Sequence, residues 1–327
     1  MCVPHWLATC AGAPGTRRFS MRSRPWRSER RSNPVAETRV LAPRNLVELQ
    51  VALAQATLAT RLLAGGTDLV LQLHSGFEPD LLIDVSRVHG LSGVSERDGV
   101  VHIGALTTFA QLAAHPAITE RATCLARASA QVGSVQVRNV ATIAGNVANA
   151  SPCGDAIPAL TALGTQVHTI DGAGRVDVRP LAAVLARAGH THLVVGEAIT
   201  GFSFQGHDAL THSAFAKVGA RTAVTVSKLS MAVVVRVEVG TIVDARVALG
   251  SLAPSAFRDA GLEAVLIGRP LSATTVAEFA AASVELVRRV IPERSSMDYK
   301  QYAIRGVAYD VWNALNIGPP YEPVGLG

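Results

Sequence analysis

Apolar positions along the chain switch between helical and strand spacing, and the switches mark the elements. The first helical stretch follows Pro43, where Asn45 and Glu48 stand at capping-box spacing and Leu46, Leu49, Leu53 and Ala56 recur every three or four residues. An apolar strand over Leu62–Ala64 runs into Gly65-Gly66-Thr67-Asp68, and Leu69, Leu71 and Leu73 then predict a short helix. Leu81–Val85 and Val100–Ile103 read as strands, and Thr108–Ala114 as a helix ended by Pro116. This alternation predicts a small α/β lobe.

Ala122–Val132 is again helical, after which residues 133–154 turn rich in Gly and Asn. Asp155 opens a helix that carries Pro158 in its first turn and closes at Gly164. Gln166–Ile170 and Val176–Val178 flank Asp171-Gly172-Ala173-Gly174, a hairpin signal. A second unit begins near His212. In it Phe215–Val218 reads as a strand and Thr222–Lys228 as a short helix, and Met231–Val239 with Ile242–Leu249 as a hairpin about Gly240. Thr274–Val290 and Met297–Leu315 are long amphipathic helices separated by Pro292.

The 327 residues are 49% apolar and 17% charged, which excludes a disordered or collagen-like chain and predicts two domains. The net charge of +5 is local. Residues 1–40 hold eight arginines against Glu29 and Glu37, so residues 41–327 sum to −1. The body offers no basic stripe for nucleic acid. Residues 1–36 are read as a disordered basic extension outside the fold.

No uncharged apolar run reaches the roughly 18 residues of a spanning helix; Leu229–Val239 is cut by Arg236 and Glu238. Arg17-Arg18 is followed by Met21-Arg22-Ser23-Arg24 rather than an apolar stretch, so export is not predicted and a cytoplasmic location is expected. Cys2, Cys10, Cys124 and Cys153 form no C-x-x-C pair, against a zinc ribbon, a cluster module or a disulfide framework.

The sharpest local feature is the strand-to-helix turn Leu63-Ala64-Gly65-Gly66-Thr67-Asp68-Leu69. Glycines there permit positive φ, so successive N–H groups can converge on an anion. Steric need alone also puts glycines in such turns, and both readings stand. The second feature is a glycine turn within Arg138–Asn146, followed by Ser151-Pro152-Cys153-Gly154-Asp155. Together the two turns predict a cradle for a dinucleotide diphosphate built on backbone and hydroxyl donors. Neither matches G-x-G-x-x-G or the lysine-containing phosphate loop, which disfavours a nicotinamide domain and an NTPase.

Seven motifs occur in the order of one family: Leu-Ala-Gly-Gly-Thr-Asp-Leu at 63–69, Leu-Ile-Asp-Val at 82–85, Ile-Gly-Ala-Leu-Thr-Thr at 103–108, Arg-Asn-Val-Ala-Thr-Ile-Ala-Gly-Asn at 138–146, Ser-Pro-Cys-Gly-Asp at 151–155, Phe-Ala-Lys-Val-Gly-Ala-Arg at 215–221 and Val-Ala-Leu-Gly-Ser-Leu-Ala-Pro at 247–254. Over about residues 37–316 the chain resembles the FAD-binding medium subunit of molybdenum hydroxylases, the xanthine dehydrogenase and carbon monoxide dehydrogenase family. The resemblance implies an α+β chain. A two-lobed FAD-binding domain of the p-cresol methylhydroxylase type would span 37–208, and a smaller α+β domain with an antiparallel sheet would span 209–320.

By the same resemblance, FAD is the electron exit of an oxidoreductase complex. Its partners would be a small 2Fe-2S iron–sulfur subunit and a large molybdopterin-binding subunit where substrate is hydroxylated, with no nucleic acid and no membrane. The first turn, Leu63, Ala64, Gly65, Gly66, Thr67, Asp68 and Leu69, would bind the diphosphate, and Thr142, Gly145 and Asn146 would complete the site. Asp155 falls on a family aspartate and Lys217 on a lysine that approaches the cofactor; on local grounds Asp155 is also a helix cap and Lys217 an exposed strand lysine. Ala144 replaces a family glycine, which weakens binding if that residue takes positive φ.

No catalytic residue and no metal ligand is expected in this chain. His190 and His192 lack a third ligand, Cys153 lacks an activating base, and Arg288 and Arg289 suit a solvated helix face. A stand-alone flavin oxidase and a cofactor-less assembly subunit are the alternatives. Removing residues 1–36 is expected to leave the flavin content unchanged, measured by the visible absorbance of the purified truncated protein.

Overall fold

The computed structural model describes residues 38–221 and 224–315, so the expectation for residues 1–36 lies outside the described residues. The first lobe runs β1 (Arg39–Leu41), α1 (Leu46–Leu53), β2 (Arg61–Leu63), α2 (Leu69–His74) and β3 (Leu81–Asp84). Its three strands form a parallel sheet in the order β1-β3-β2. Asn45 caps α1 by accepting from the Glu48 N–H at 2.9 Å, and Glu48 reaches back to the Arg44 N–H at 2.8 Å. Leu49 and Leu53 then face Leu81 and Ile83 in a small core, while Leu46, Val47 and Val51 stay exposed.

The second lobe continues through β4 (Val94–Arg97), β5 (Val100–Gly104), α3 (Phe109–Ala114), α4 (Pro116–Arg121), α5 (Thr123–Ala130), α6 (Val135–Val140), α7 (Ile143–Asn149) and α8 (Ala156–Ala162). After these come β6 (Gln166–Asp171), β7 (Val176–Pro180), α9 (Leu181–Val184), β8 (Leu185–Arg187), β9 (His190–Thr191) and β10 (Glu197–Gln205). An antiparallel sheet of order β4-β5-β10-β6-β7 places the last strand at its centre. Alternate residues Val101, Ile103, Val167, Phe202 and Phe204 turn to one face and bury against Phe109, Leu125, Ile143 and Leu160 of the helices. Pro116 does not merely stop α3: it supplies the first residue of α4, where its missing N–H costs nothing.

The Gly- and Asn-rich stretch predicted as a turn contains two helices. Ser134 and Thr142 act as N-caps, accepting from Val137 and Gly145 at 3.3 and 3.1 Å, and Ile143 and Val147 recur four residues apart on the buried side of α7. Capping and a buried stripe outweigh the poor helix propensity of Gly and Asn.

The C-terminal unit holds β11 (Thr211–Val218), β12 (Leu229–Glu238), β13 (Thr241–Gly250), β14 (Phe257–Arg258), α10 (Ala260–Leu266), α11 (Ala273–Val290) and α12 (Met297–Leu315). Its antiparallel sheet, β11-β12-β13-β14, is buried on both faces. Met231, Val233, Val235 and Val247 pack under α11 and α12, whereas Phe215, Ala232, Val234 and Ala248 join the core of the second lobe. This double burial explains the unbroken apolar run from Met231 to Val235. The predicted helix over Thr222–Lys228 is not found among its described residues: Val224 takes φ +49° and its carbonyl accepts from Arg221 Nε at 2.8 Å. Thr222 and Ala223 lie outside the described residues.

Among the described residues no helix is long and apolar enough to cross a membrane. Arg288 pairs with Glu285 and Arg289 with Asp259, both on the solvated side of α11.

His207, where the second lobe passes into the C-terminal unit, is buried, and its Nε2 has no hydrogen-bond partner among the described residues. Burial, then the charge of Arg246 and the neighbouring His212, lower its pKa to about 4. Between pH 6.5 and about 4 the unfolded chain therefore takes up a proton that the folded chain refuses. Stability from this group is full above pH 6.5 and falls by about 3 kcal/mol as the pH drops to 4. A His207→Gln variant should flatten that acid limb in urea melts recorded from pH 7 to pH 4.

Candidate functional site

Two segments that are remote in sequence meet through one missing side chain. A Cβ on Gly65 would lie 1.9 Å from the Val140 carbonyl oxygen, so only glycine lets this turn press against the α6–α7 connection. Gly66 answers a different need, with φ at +69°. Leu63 anchors the turn by accepting from the Val85 N–H at 2.9 Å. The N–H groups of Gly65, Gly66, Thr67 and Asp68 make no hydrogen bond to the described residues, and Thr67 and Asp68 are exposed. Asp68 does not cap α2; its carboxylate accepts from Gln72 Nε2 at 2.6 Å.

The second segment is held by the motif at 103–108. Ala144 and Ile143 donate their N–H groups to the carbonyls of Ala105 and Thr107 at 3.2 and 3.0 Å, and the Phe109 N–H returns to Ala141 at 3.2 Å. Thr142 and Gly145 therefore sit at the start of α7 and not in a turn. Ala144 lies inside that helix and is absent from the positive-φ residues, so it carries no conformational penalty. Asn146 follows on α7 with its Oδ1 buried and without a partner among the described residues. Gly154 leaves room for it, since a Cβ there would come within 3.1 Å of that oxygen.

Asp155 and Lys217 form one buried unit, with 7% and 6% of their side chains exposed. Lys217 Nζ donates to Asp155 Oδ2 at 2.5 Å and to the Gln131 carbonyl at 2.8 Å, and Ser227 Oγ donates to Asp155 Oδ1 at 2.5 Å. Burial raises the Asp155 pKa, while Lys217 and Ser227 act to lower it. Asp155 occupies the N-cap position of α8 but its side chain makes no cap bond, and Lys217 is not an exposed lysine. Both expectations from local sequence give way to a bond across 62 residues, from the second lobe to the C-terminal unit.

The same junction is closed by Gly250-Ser251. A Cβ on Gly250 would fall 2.6 Å from Pro158 and 2.4 Å from Ser230 Oγ, and Ser251 donates its N–H to the Pro152 carbonyl at 2.8 Å. Lys300 of α12 caps the Ser251 carbonyl. Ser227, Gln131 and Lys300 were not singled out in the sequence. They are ordinary polar residues whose only signal is a partner far along the chain. Cys153, half-buried, and the His190/His192 pair join no group of three or more metal-ligating side chains among the described residues.

Residues 36–204 match the model of an FAD binding domain in molybdopterin dehydrogenase, and residues 214–315 match that of the CO dehydrogenase flavoprotein C-terminal domain. The nicotinate dehydrogenase FAD-subunit of Eubacterium barkeri is 30% identical over 273 residues, covering 81% of this chain and 92% of that protein. The carbon monoxide dehydrogenase medium chain of Hydrogenophaga pseudoflava is 29% identical over 79% of this chain and 90% of its own length. The solved carbon monoxide dehydrogenase of that organism superposes with a TM-score of 0.78 at 28% identity, covering 85% of this chain and 97% of the solved one.

Lys217→Ala strands a buried carboxylate and is expected to cost about 3–5 kcal/mol in chemical denaturation. The double variant Asp155→Leu/Lys217→Met, which removes both charges, should recover most of that loss.

Proposed function

Because the chain belongs to the FAD-binding medium subunits of the molybdenum hydroxylase family, we propose that it forms the electron exit of a multi-subunit hydroxylase. In this reading a small 2Fe-2S subunit delivers electrons, a large molybdopterin-binding subunit oxidises the substrate, and an external acceptor collects the product electrons. FAD, when bound, supplies a carrier that accepts electrons singly and releases them in pairs.

The residues present fit that cofactor. Four unbonded N–H groups at Gly65–Asp68 and the orphaned Oδ1 of Asn146 lie on segments that Gly65 brings into backbone contact. This one observation carries the reading, because a buried oxygen such as Asn146 Oδ1 is otherwise paired, and the turn N–H groups stand free beside it among the described residues. The turn N–H groups bind the diphosphate oxygens without a compact positive charge, while Leu63, Ala64 and Leu69 fix the turn between β2 and α2.

Thr142 has its hydroxyl committed to the Gly145 N–H. It acts by fixing the start of α7, so that Asn146 Oδ1 accepts from a cofactor hydroxyl or amine. Asp155 and Lys217 satisfy each other and hold the C-terminal unit closed against the second lobe, which excludes water from the site. No acid–base pair is needed, and the domain boundary falls in the link between β10 and β11.

The test is co-purification from the native host with flavin, iron and molybdenum analysis. Flavin with iron and molybdenum partners is expected, with the flavin released into the supernatant on acid precipitation and lost in Gly65→Ala. A flavin-containing chain that purifies without iron or molybdenum partners would overturn the reading.

A further inference from the structure

The five-stranded sheet has a second face, opposite the helices. Strand alternation sends Val101, Ile103, Val167, Phe202 and Phe204 into the core with Ile143, and therefore His102, His168 and Ser203 to the other side. Ser95, His102 and Ser203 stand in one row across β4, β5 and β10. The next row is Gly104, Gly201 and His168.

Because Gly104 and Gly201 carry no side chain, the row opens into a hollow of about 350 Å³, rimmed by the 90–95 segment. Both glycines are sterically required: a Cβ would lie 2.4 Å from the Leu91 carbonyl oxygen at Gly104, and 2.8 Å from that of Ile103 at Gly201. The two imidazoles meet across the gap with centroids 6.3 Å apart and a tilt of 58°. Ser203 Oγ lies 2.7 Å from His168 Nε2, and His102 has no hydrogen-bond partner among the described residues.

We propose that His102 and His168 form a site for a borderline divalent transition metal ion, of the Zn²⁺, Ni²⁺ or Cu²⁺ class, with Ser203 orienting the His168 ring. Geometry favours it. A metal bound at about 2.0–2.1 Å lies about 3.2 Å from an imidazole centroid, so rings 6.3 Å apart suit a nearly trans pair on a tetragonal Cu²⁺ or Ni²⁺ ion, and a ring rotation that closes the gap by about 1 Å gives the tetrahedral angle of Zn²⁺.

Composition favours a cation of this softness as well. Among the described residues, the hollow is lined by no Lys or Arg that would hold an oxyanion, and by no carboxylate that would select Ca²⁺ or Mg²⁺. No third His, Cys, Asp or Glu joins them among the described residues, so water and the nearby serine hydroxyls complete the coordination. An oxygen bonded to the second ring nitrogen fixes the orientation of a ligand imidazole, and Ser203 Oγ fills that place at His168. The ion would tie β5 to β6 across β10, on the face away from Asn146, and does not depend on the electron-exit reading.

The test uses the flavin-loaded full chain without a histidine tag. Zn²⁺ titrated against a chromogenic chelator should bind one per chain, at least tenfold more weakly in His102→Ala and in His168→Ala, and several-fold more weakly in Ser203→Ala. The His190→Ala/His192→Ala variant should bind as the unaltered chain does, and flavin absorbance should stay constant throughout. No stoichiometric Zn²⁺, or binding that survives loss of both His102 and His168 or follows His190 and His192 instead, overturns the site. Should the single variants lose flavin, Cu²⁺ on the unaltered chain decides. Electron spin-echo modulation from two imidazole nitrogens supports the site, and modulation from fewer overturns it.

Discussion

The sheet β11–β14 is buried on both sides, and the architecture beyond the first lobe hangs on that. One face belongs to α11 and α12, the other to the helices of the second lobe. A valine fully removed from water contributes about 1.5–3 kcal/mol, and β12 alternates Met231, Val233 and Val235 on one side with Ala232 and Val234 on the other. The C-terminal unit is thus welded to the second lobe by apolar area. The polar bonds along the seam, from Asp155 to Lys217 and from Ser251 to Pro152, set the register of that contact more than its strength.

This division of labour bears on the proposed flavin site. The glycine turn at residues 63–69 stands on the first lobe, Asn146 on the second, and Lys217 on the C-terminal unit. Both joints between them are places where a side chain is absent, Gly65 against Val140 and Gly250 against Pro158, and within the second lobe Gly154 leaves the same room beside Asn146. The family's glycines in this chain serve close packing between segments at least as much as they serve backbone freedom, since Gly65, Gly154 and Gly250 are not among the positive-φ residues.

The sequence made the local features legible. Capping at Asn45, the hairpin at Asp171–Gly174 and the two long C-terminal helices follow from chemistry within four or five residues. Family resemblance added the flavin and the two-part fold. What stayed hidden was either tertiary or ambiguous in composition. Gly145 and Asn146 read as turn residues until the cap at Thr142 and the burial of Ile143 and Val147 are known. Asp155 read as a cap because nothing near it announces Lys217 or Ser227, 62 and 72 residues away. The face bearing His102 and His168 needs the β5-β10-β6 order, which no pattern in a single strand encodes.

The place of β10 has a consequence for how the chain is made. β5 ends at Gly104, yet its second sheet partner arrives only at Glu197–Gln205, after seven helices and four strands. During synthesis one edge of the β4–β5 hairpin stays open while about ninety residues emerge. Such distant pairing makes for slow closure and a sticky intermediate. The helical layer over Phe109 and Leu125 can form meanwhile and shelter the hairpin's apolar face. Completion of that sheet leads within six residues into β11, whose own sheet partners and covering helices follow over residues 229–315.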